Sequence, residues 1–396
     1  MSIHVSHRAA TIKPSATLSV AARAAALQQA GKDIISLAAG EPDFDTPEFI
    51  KAAAIRALRE GFTKYTAVEG TPGLRKAVAE KFKRENGLNY GIDQILVSAG
   101  CKHSLFNLFM AVLDPGAEVI IPAPYWTSYP DMVRIAGAEP VIIKTGIEER
   151  FKITAQQLRG ALTKKTRLLI MNSPSNPTGE YYTRGELAGL GQVLLDYPEV
   201  LIASDDIYEH ILWQGESFSN IVNACPRLYD RTVVMNGVSK VYAMTGWRIG
   251  YAAGPKPIIQ AMANLQSQST SNPTSIAQVA AQTALEGDQD GVRERCAIFR
   301  QRHDYVHRRL HEIKGVECLA AQGTFYIFPN VQRVIAAQKG LHNDVALAEL
   351  LLEQAGVAVV PGTAFGAPGY LRLSFATGDE NLERALDRIE AVLGRK

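Results

Sequence analysis

Charge of one sign is the first thing this sequence lacks. Its 396 residues carry 42 Lys and Arg against 40 Asp and Glu, a formal net charge of +2, with no clustered basic stripe. Such a balance leaves no electrostatic footprint for nucleic acid and points to small ligands. Cysteine is scarce: Cys101, Cys225, Cys296 and Cys318 are scattered and form no CxxC pair, which argues against zinc and against a disulfide framework. The first twenty residues hold no apolar core of secretory length, and no later run approaches a membrane span, so a reducing cytoplasm is expected. No GxGxxG follows the early strands, which counts against a nucleotide-binding oxidoreductase. There is no repeat of solenoid period and no low-complexity tract. What is present is an ordinary globular composition, 46% hydrophobic and 21% charged, long enough for a large domain and a smaller one.

The middle of the chain alternates short β-branched runs with helical stretches. The runs fall at 95–98, 118–121, 140–143, 167–171, 200–204, 231–235 and 249–253, with helical segments such as 102–113 and 185–195 between them. Several runs are continuously apolar, as expected of a mostly parallel seven-stranded sheet covered by helices on both faces. The class is α/β. From about Gly291 a long amphipathic helix gives way to strand signals at 316–319, 323–328, 357–360 and 370–375, then a last helix at 381–393. That mix predicts a smaller α+β domain at 291–396, joined by the loop-rich segment 1–48, around a large domain at 49–290.

Four stretches at strand ends carry chemistry. In NGVSKVYAMTGWRIGYAAGP (236–255), Lys240 follows an apolar strand and Arg248 lies eight residues on. A lysine that condenses with a carbonyl must lose its proton readily, which a desolvated, cation-rich pocket promotes. A phosphorylated cofactor on that lysine needs a guanidinium such as Arg248. A lysine after a strand is ordinarily a solvated loop residue; here Gly237, Gly246, Gly250 and the spaced arginine weigh for the imine. In NSPSNPTG (172–179), two prolines and a glycine force a rigid turn that holds Asn176 where α/β sheets place ligands, although such a turn can be only a turn. In ASDDIYEH (203–210), Asp205 could keep a pyridine nitrogen protonated and Tyr208 could bond the neighbouring ring oxygen; the alternative is a helix N-cap pair. In ILVSAGCKHSLFNLF (95–109), the N–H groups near Gly100–Lys102 open a helix, a place suited to phosphate that many unliganded turns share.

Two further features need weighing. In YLRLSFA (370–376), Arg372 alternates with the apolar set, so it is either solvent-facing or a fork for a carboxylate. His303, His307 and His311 recur every four residues, but arginines surround them, and a solvated helix face is preferred over a metal site. No metal is expected.

Taken together, SK-x₇-R around Lys240, NPTG at 176–179, SDDIY at 204–208 and GEPDFDTP at 40–47 resemble the class I aminotransferases of pyridoxal 5′-phosphate (PLP) fold type I. The likeness is greatest to the bacterial aspartate aminotransferase subgroup, with prephenate aminotransferases as near relatives, and it runs from about Ile12 to the C-terminus. The resemblance implies Lys240 as the Schiff-base lysine, Asp205 as the pyridine-nitrogen partner, and Tyr208 with Asn176 on the ring oxygen. It implies Arg248 and the backbone near Cys101 as phosphate ligands, and Trp126, in APYWTSY, packed on the cofactor ring. Gly40 and Arg372 match the groups that take the substrate α-carboxylate. Lys102 matches the group on the far carboxylate, and Lys13, in IKPSAT, a position linked to aromatic dicarboxylates. Tyr65, in TKYT, resembles the tyrosine that reaches a neighbouring subunit's phosphate, which implies a homodimer with shared active sites. Cys101 departs from the pattern, which has glycine there, without touching the backbone contacts.

The activity so implied is reversible ping-pong transfer of an amino group from L-aspartate to 2-oxoglutarate, with prephenate or aromatic substrates as alternatives. Lyases and synthases share the scaffold. A transcription regulator would carry a DNA-binding extension, and only about a dozen residues precede Ile12.

Overall fold

The computed structural model describes residues 4–10, 12, 14–213 and 217–394. Among the described residues, twelve strands form three sheets. The largest holds β2 (Ile95–Ser98), β3 (Glu118–Ala123), β4 (Glu139–Lys144), β5 (Thr166–Asn172), β6 (Leu201–Asp205), β7 (Thr232–Gly237) and β8 (Gly250–Ala253) in the order β2-β8-β7-β6-β5-β3-β4. Each coincides with one of the seven runs seen in the sequence. All neighbours pair in parallel except β8, which runs against both β2 and β7.

The apolar runs lack polar alternation because both faces are buried. On β5, Leu168 and Ile170 pack with Leu105, Leu108 and Phe109 of the helix Cys101–Val112 and with Met262 of Lys256–Ser267. The intervening Leu169 and Met171 face the opposite layer, with Val78 and Phe82 of the helix Pro72–Asn86 and Leu190 of Arg184–Leu195. Each such side chain withdraws apolar surface worth about 1.5–3 kcal/mol. Local signals begin these helices: Thr183 and Glu186 close a capping box on Arg184–Leu195, and Pro72 follows the N-cap Thr71.

The remaining sheets draw on the chain ends. β1 (Ile35–Ser36) pairs in parallel with β10 (Val357–Ala358), and β12 (Leu371–Ser374) lies between β11 (Val360–Pro361) and β9 (Tyr326–Ile327), antiparallel to both. They pack with the helices Asp290–Glu312 and Asp379–Leu393. The expected strand at 316–319 is not formed; only Glu317 bridges Asn330. The expected strand at 323–328 is reduced to β9, because Thr324, at φ 64°, interrupts extended geometry. No helix among the described residues is long and apolar enough to cross a membrane.

Candidate active site

The C-terminal ends of the central strands open into a cavity of about 470 Å³. It collects Lys240, Asp205, Tyr208, Asn176 and Arg248 from the large sheet's loops. Cys101, Lys102 and Trp126 line it from the β2 and β3 ends, and Gly40 and Arg372 from the chain-end sheets. Asp205 is the last residue of β6. The NPTG turn is pinned to it: Asn172 Nδ2 donates to the Asp205 carbonyl at 2.9 Å, and the Asn176 N–H donates to Asn172 Oδ1 at 2.9 Å.

One corner of the cavity is shaped for an anion. The helix Cys101–Val112 begins there; His103 donates to the Gly100 carbonyl at 3.0 Å, and the N–H groups of Cys101 and Lys102 ahead of it lie before the first such bond. Arg248, itself in left-handed backbone geometry (φ 58°), reaches Gly100, where a Cβ would stand 2.3 Å from Arg248 Nη2. Gly100 has φ +90°, a backbone conformation that demands glycine, and its missing side chain leaves room for the guanidinium. Gly250 is required for a different reason: a Cβ would lie 2.1 Å from the Cys101 nitrogen, so β8 could not press against this turn.

Lys240 projects into the cavity, where its Nζ donates to the Gly40 carbonyl. Burial brings its pKa down from 10.5 to about 8; the Glu41 carboxylate opposes this, while Arg372 and Arg248 add to it. Burial lifts the Asp205 carboxyl above its usual range, against hydrogen bonds from the Tyr129 hydroxyl (2.6 Å) and the Ile207 N–H (3.4 Å) and a 3.7 Å contact from Cys101 Sγ. A carboxylate so desolvated holds a cation placed against it strongly. Burial, followed by the charge of Arg248, lowers Lys102, whose Nζ lies 4.8 Å above the Trp126 ring.

Arg372 corrects one open reading. All four residues of β12 are buried and Arg372 is 1% exposed, so it is not a solvent-facing residue. Its Nη2 donates to the Ala38 carbonyl (2.8 Å) and Nη1 to Asn176 Oδ1 (3.1 Å), while Nε, also buried, has no partner. A desolvated guanidinium with a spare N–H suits an incoming carboxylate. The helix-cap alternative for Ser204–Asp206 also fails, since β6 is followed by a turn and not a helix.

Tyr65 lies outside the cavity and is 91% exposed. Lys13 falls outside the described residues. Among the cavity residues that escaped the sequence reading, four bear on the site's chemistry: Tyr129, Tyr326, Glu41 and Thr245. Tyr129 stands three after Trp126 in APYWTSY, and Tyr326 lies in GTFYIF; nothing in either motif marks a tyrosine as facing a ligand rather than filling a core. Glu41 and Thr245, bonded to each other at 2.7 Å, join the loop after β1 to the segment carrying Lys240.

The histidine row is not uniformly solvated: His303 is 1% exposed and packs on Trp213, His307 is half-buried and His311 exposed. Among the described residues, the one trio of side chains close enough to share a metal ion is Glu85, Glu209 and His210. The ammonium of buried Lys81 already occupies that place, bonded to Glu209 and 3.5 Å from Glu85.

Comparison with known proteins agrees with this geometry. The model of the family aminotransferase class I and II matches residues 32–389. The chain is 57% identical over 394 residues to the aspartate/prephenate aminotransferase of Nitrosomonas europaea, covering 98% of this chain and 99% of that one. It is 53% identical to the aspartate/prephenate aminotransferase of Cereibacter sphaeroides, covering 96% of each. The crystal structure of the Rhizobium meliloti aspartate aminotransferase superposes with a TM-score of 0.95 at 48% identity over 100% of both chains. That of Thermus thermophilus with maleate gives 0.92 at 45% identity, over 99% of this chain and 100% of that one. The chain belongs to the class I and II aminotransferases, PLP-dependent enzymes built on this α/β fold.

Proposed function

We propose that this enzyme is an aspartate aminotransferase, moving the amino group of L-aspartate reversibly to 2-oxoglutarate to give oxaloacetate and L-glutamate, with prephenate as a further amino acceptor. The observation that carries the substrate reading is the charge of the cavity. Beyond Arg248 at the anion corner and Lys240 itself, it presents two more cationic groups on separate elements, Arg372 and Lys102, which suit the two ends of a dicarboxylate. Nitrosomonas and Cereibacter relatives named for aspartate and prephenate support it.

The residues fit PLP. Arg248 and the helix start at Cys101 would hold its phosphate, Asp205 its ring nitrogen, Tyr208 and Asn176 its ring oxygen, and Trp126 its face. When bound, the cofactor supplies an aldehyde that carries the amino group and a ring that takes up electrons as the Cα–H bond breaks. Lys240, whose Nζ projects into the cavity, would hold that aldehyde covalently. Burial brings the Lys240 amine to a pKa of about 8, so it would serve as the base that takes the proton from the substrate Cα and as the acid that returns it. Arg372, Gly40 and Lys102 fix the carboxylates, so that the Cα–H bond stands where Lys240 reaches it; Lys13 is assigned to aromatic dicarboxylates.

Two chains would complete each site. Exposed Tyr65 follows a segment that leaves Phe49, Ile55, Leu58 and Phe62 uncovered, as expected of a homodimer face across which Tyr65 reaches the partner's phosphate. Residues 49–290 would form the large domain, with 1–48 and 291–396 the small one. A cytoplasmic setting suits the four unbridged cysteines.

Steady-state rates for a panel of amino donors with 2-oxoglutarate test the assignment. Aspartate should give the highest kcat/KM with ping-pong kinetics; turnover of apolar or aromatic donors in preference to aspartate would refute it.

A further inference from the structure

Tyr326 sits on β9, in the sheet built from the chain ends, and touches three parts of the site at once. Its hydroxyl lies 3.2 Å from the hydroxyl of Tyr208, at the end of the large sheet. Its ring carries the Arg372 guanidinium, 4.4 Å above the centroid. A Cβ on Gly40 would stand 3.3 Å from its hydroxyl. Tyr326 is 1% exposed and Tyr208 4%, so neither hydroxyl exchanges its partner for bulk water. Burial holds both phenols above their usual pKa, and each therefore brings one proton to the contact.

One proton per hydroxyl makes the arrangement directional. If Tyr208 spends its proton on the cofactor's ring oxygen, its own oxygen is left only to accept, and Tyr326 must donate to it. A donor on the Tyr208 oxygen polarises that hydroxyl and strengthens its hydrogen bond onward. The stronger that bond, the better the ring oxygen bears negative charge, and the weaker the proton affinity of the neighbouring Lys240 nitrogen.

We propose that Tyr326 is a positioning residue of the transamination site: it orients and polarises Tyr208 while seating Arg372, and so links the carboxylate fork to the proton affinity at Lys240. The proposal rests on the roles given above to Tyr208 and Lys240.

The test uses Tyr326→Phe holoenzyme, which keeps the ring under Arg372 and removes one oxygen. Absorbance of the bound cofactor is followed against pH in the wild type, Tyr326→Phe, Tyr208→Phe and the double variant, with cofactor content and melting temperature measured alongside. The absorbance transition should move up by about half to one pH unit in Tyr326→Phe, the size of one lost hydrogen bond. In the Tyr208→Phe background the second substitution should move it by less than a third of that. Affinity for maleate, a non-reacting dicarboxylate, should change less than about threefold, because the cation–π seat remains. An unmoved transition in Tyr326→Phe, or equal shifts in the two backgrounds, overturns the proposal. A wild-type protein that shows no pH-dependent cofactor absorbance would instead remove the reading on which it stands.

Discussion

Lys102 and Arg372 are both cations of one cavity, yet their surroundings differ. Arg372 is buried on a strand and bonded to a carbonyl and an amide, so its position is set before any ligand arrives. Lys102 stands in the first turn of a helix, is exposed, and leans on the Trp126 ring. A flexible ammonium resting on an aromatic face can turn to a distal carboxylate without leaving an unpaired group behind. Lys102→Ala should therefore lower kcat/KM for aspartate about 10- to 100-fold, the worth of one charge-assisted contact, with much less effect on an apolar donor. Equal losses on both donors would remove Lys102 from side-chain recognition.

At the scale of elements, the turn after β6 is held from behind. Glu209, next to Tyr208, accepts from Lys81 and, at 2.7 Å, from Asn86 of the helix Pro72–Asn86, and from Asn236 of β7 at 2.8 Å. Removing one partner of such a buried pair costs about 3–5 kcal/mol, so the strand ends that carry Tyr208 and Lys240 are tied to one helix. Glu85, at the rim of the same cluster, bonds His210 at 2.9 Å. Burial alone would raise its carboxyl, but the His210 hydrogen bond and the Lys81 charge prevail and bring it from 4.5 to about 2. A lowered folded pKa means the unfolded chain binds the proton first, so this contribution is present above about pH 4.5 and is lost as the pH falls towards 2. Urea melts between pH 6 and pH 3 should show the wild type losing about 1–2 kcal/mol more than Glu85→Gln, after allowance for solvent screening. Parallel losses in the two proteins would show that Glu85 does not titrate this way.

The whole molecule is where Tyr65 acquires its meaning. On one chain it is 91% exposed; in the proposed homodimer with shared sites it would belong to the partner's cavity. Lys240→Ala chains should be inactive and Tyr65→Ala chains should retain cofactor poorly. Heterodimers of the two should regain one intact site, so that the refolded mixture exceeds the sum of its parts. A strictly additive mixture would contradict shared sites.

The seven central strands were legible because fully buried parallel strands must be continuously apolar, and the turns after them because proline and glycine punctuate them. The residues at those turns were legible for the same reason: Asp205 ends a strand and Lys240, Asn176 and Cys101 stand three or four residues beyond one, and sheet geometry sends such positions to one edge. Less could be read at 316–328, where two strand signals yielded two isolated bridges, at Glu317 and Gly323, and a two-residue strand, since short β pairing depends on what lies alongside.

The order of residues along the chain thus determined the sheet, the turns and the candidates standing on them, because these depend on local periodicity and backbone limits. Only the tertiary structure decided that Arg372 is buried beside Asn176, that Tyr129 bonds Asp205, and that Tyr326 meets Tyr208 from a different sheet. Those contacts join residues 76 to 196 positions apart, and no local pattern encodes a partner at that distance.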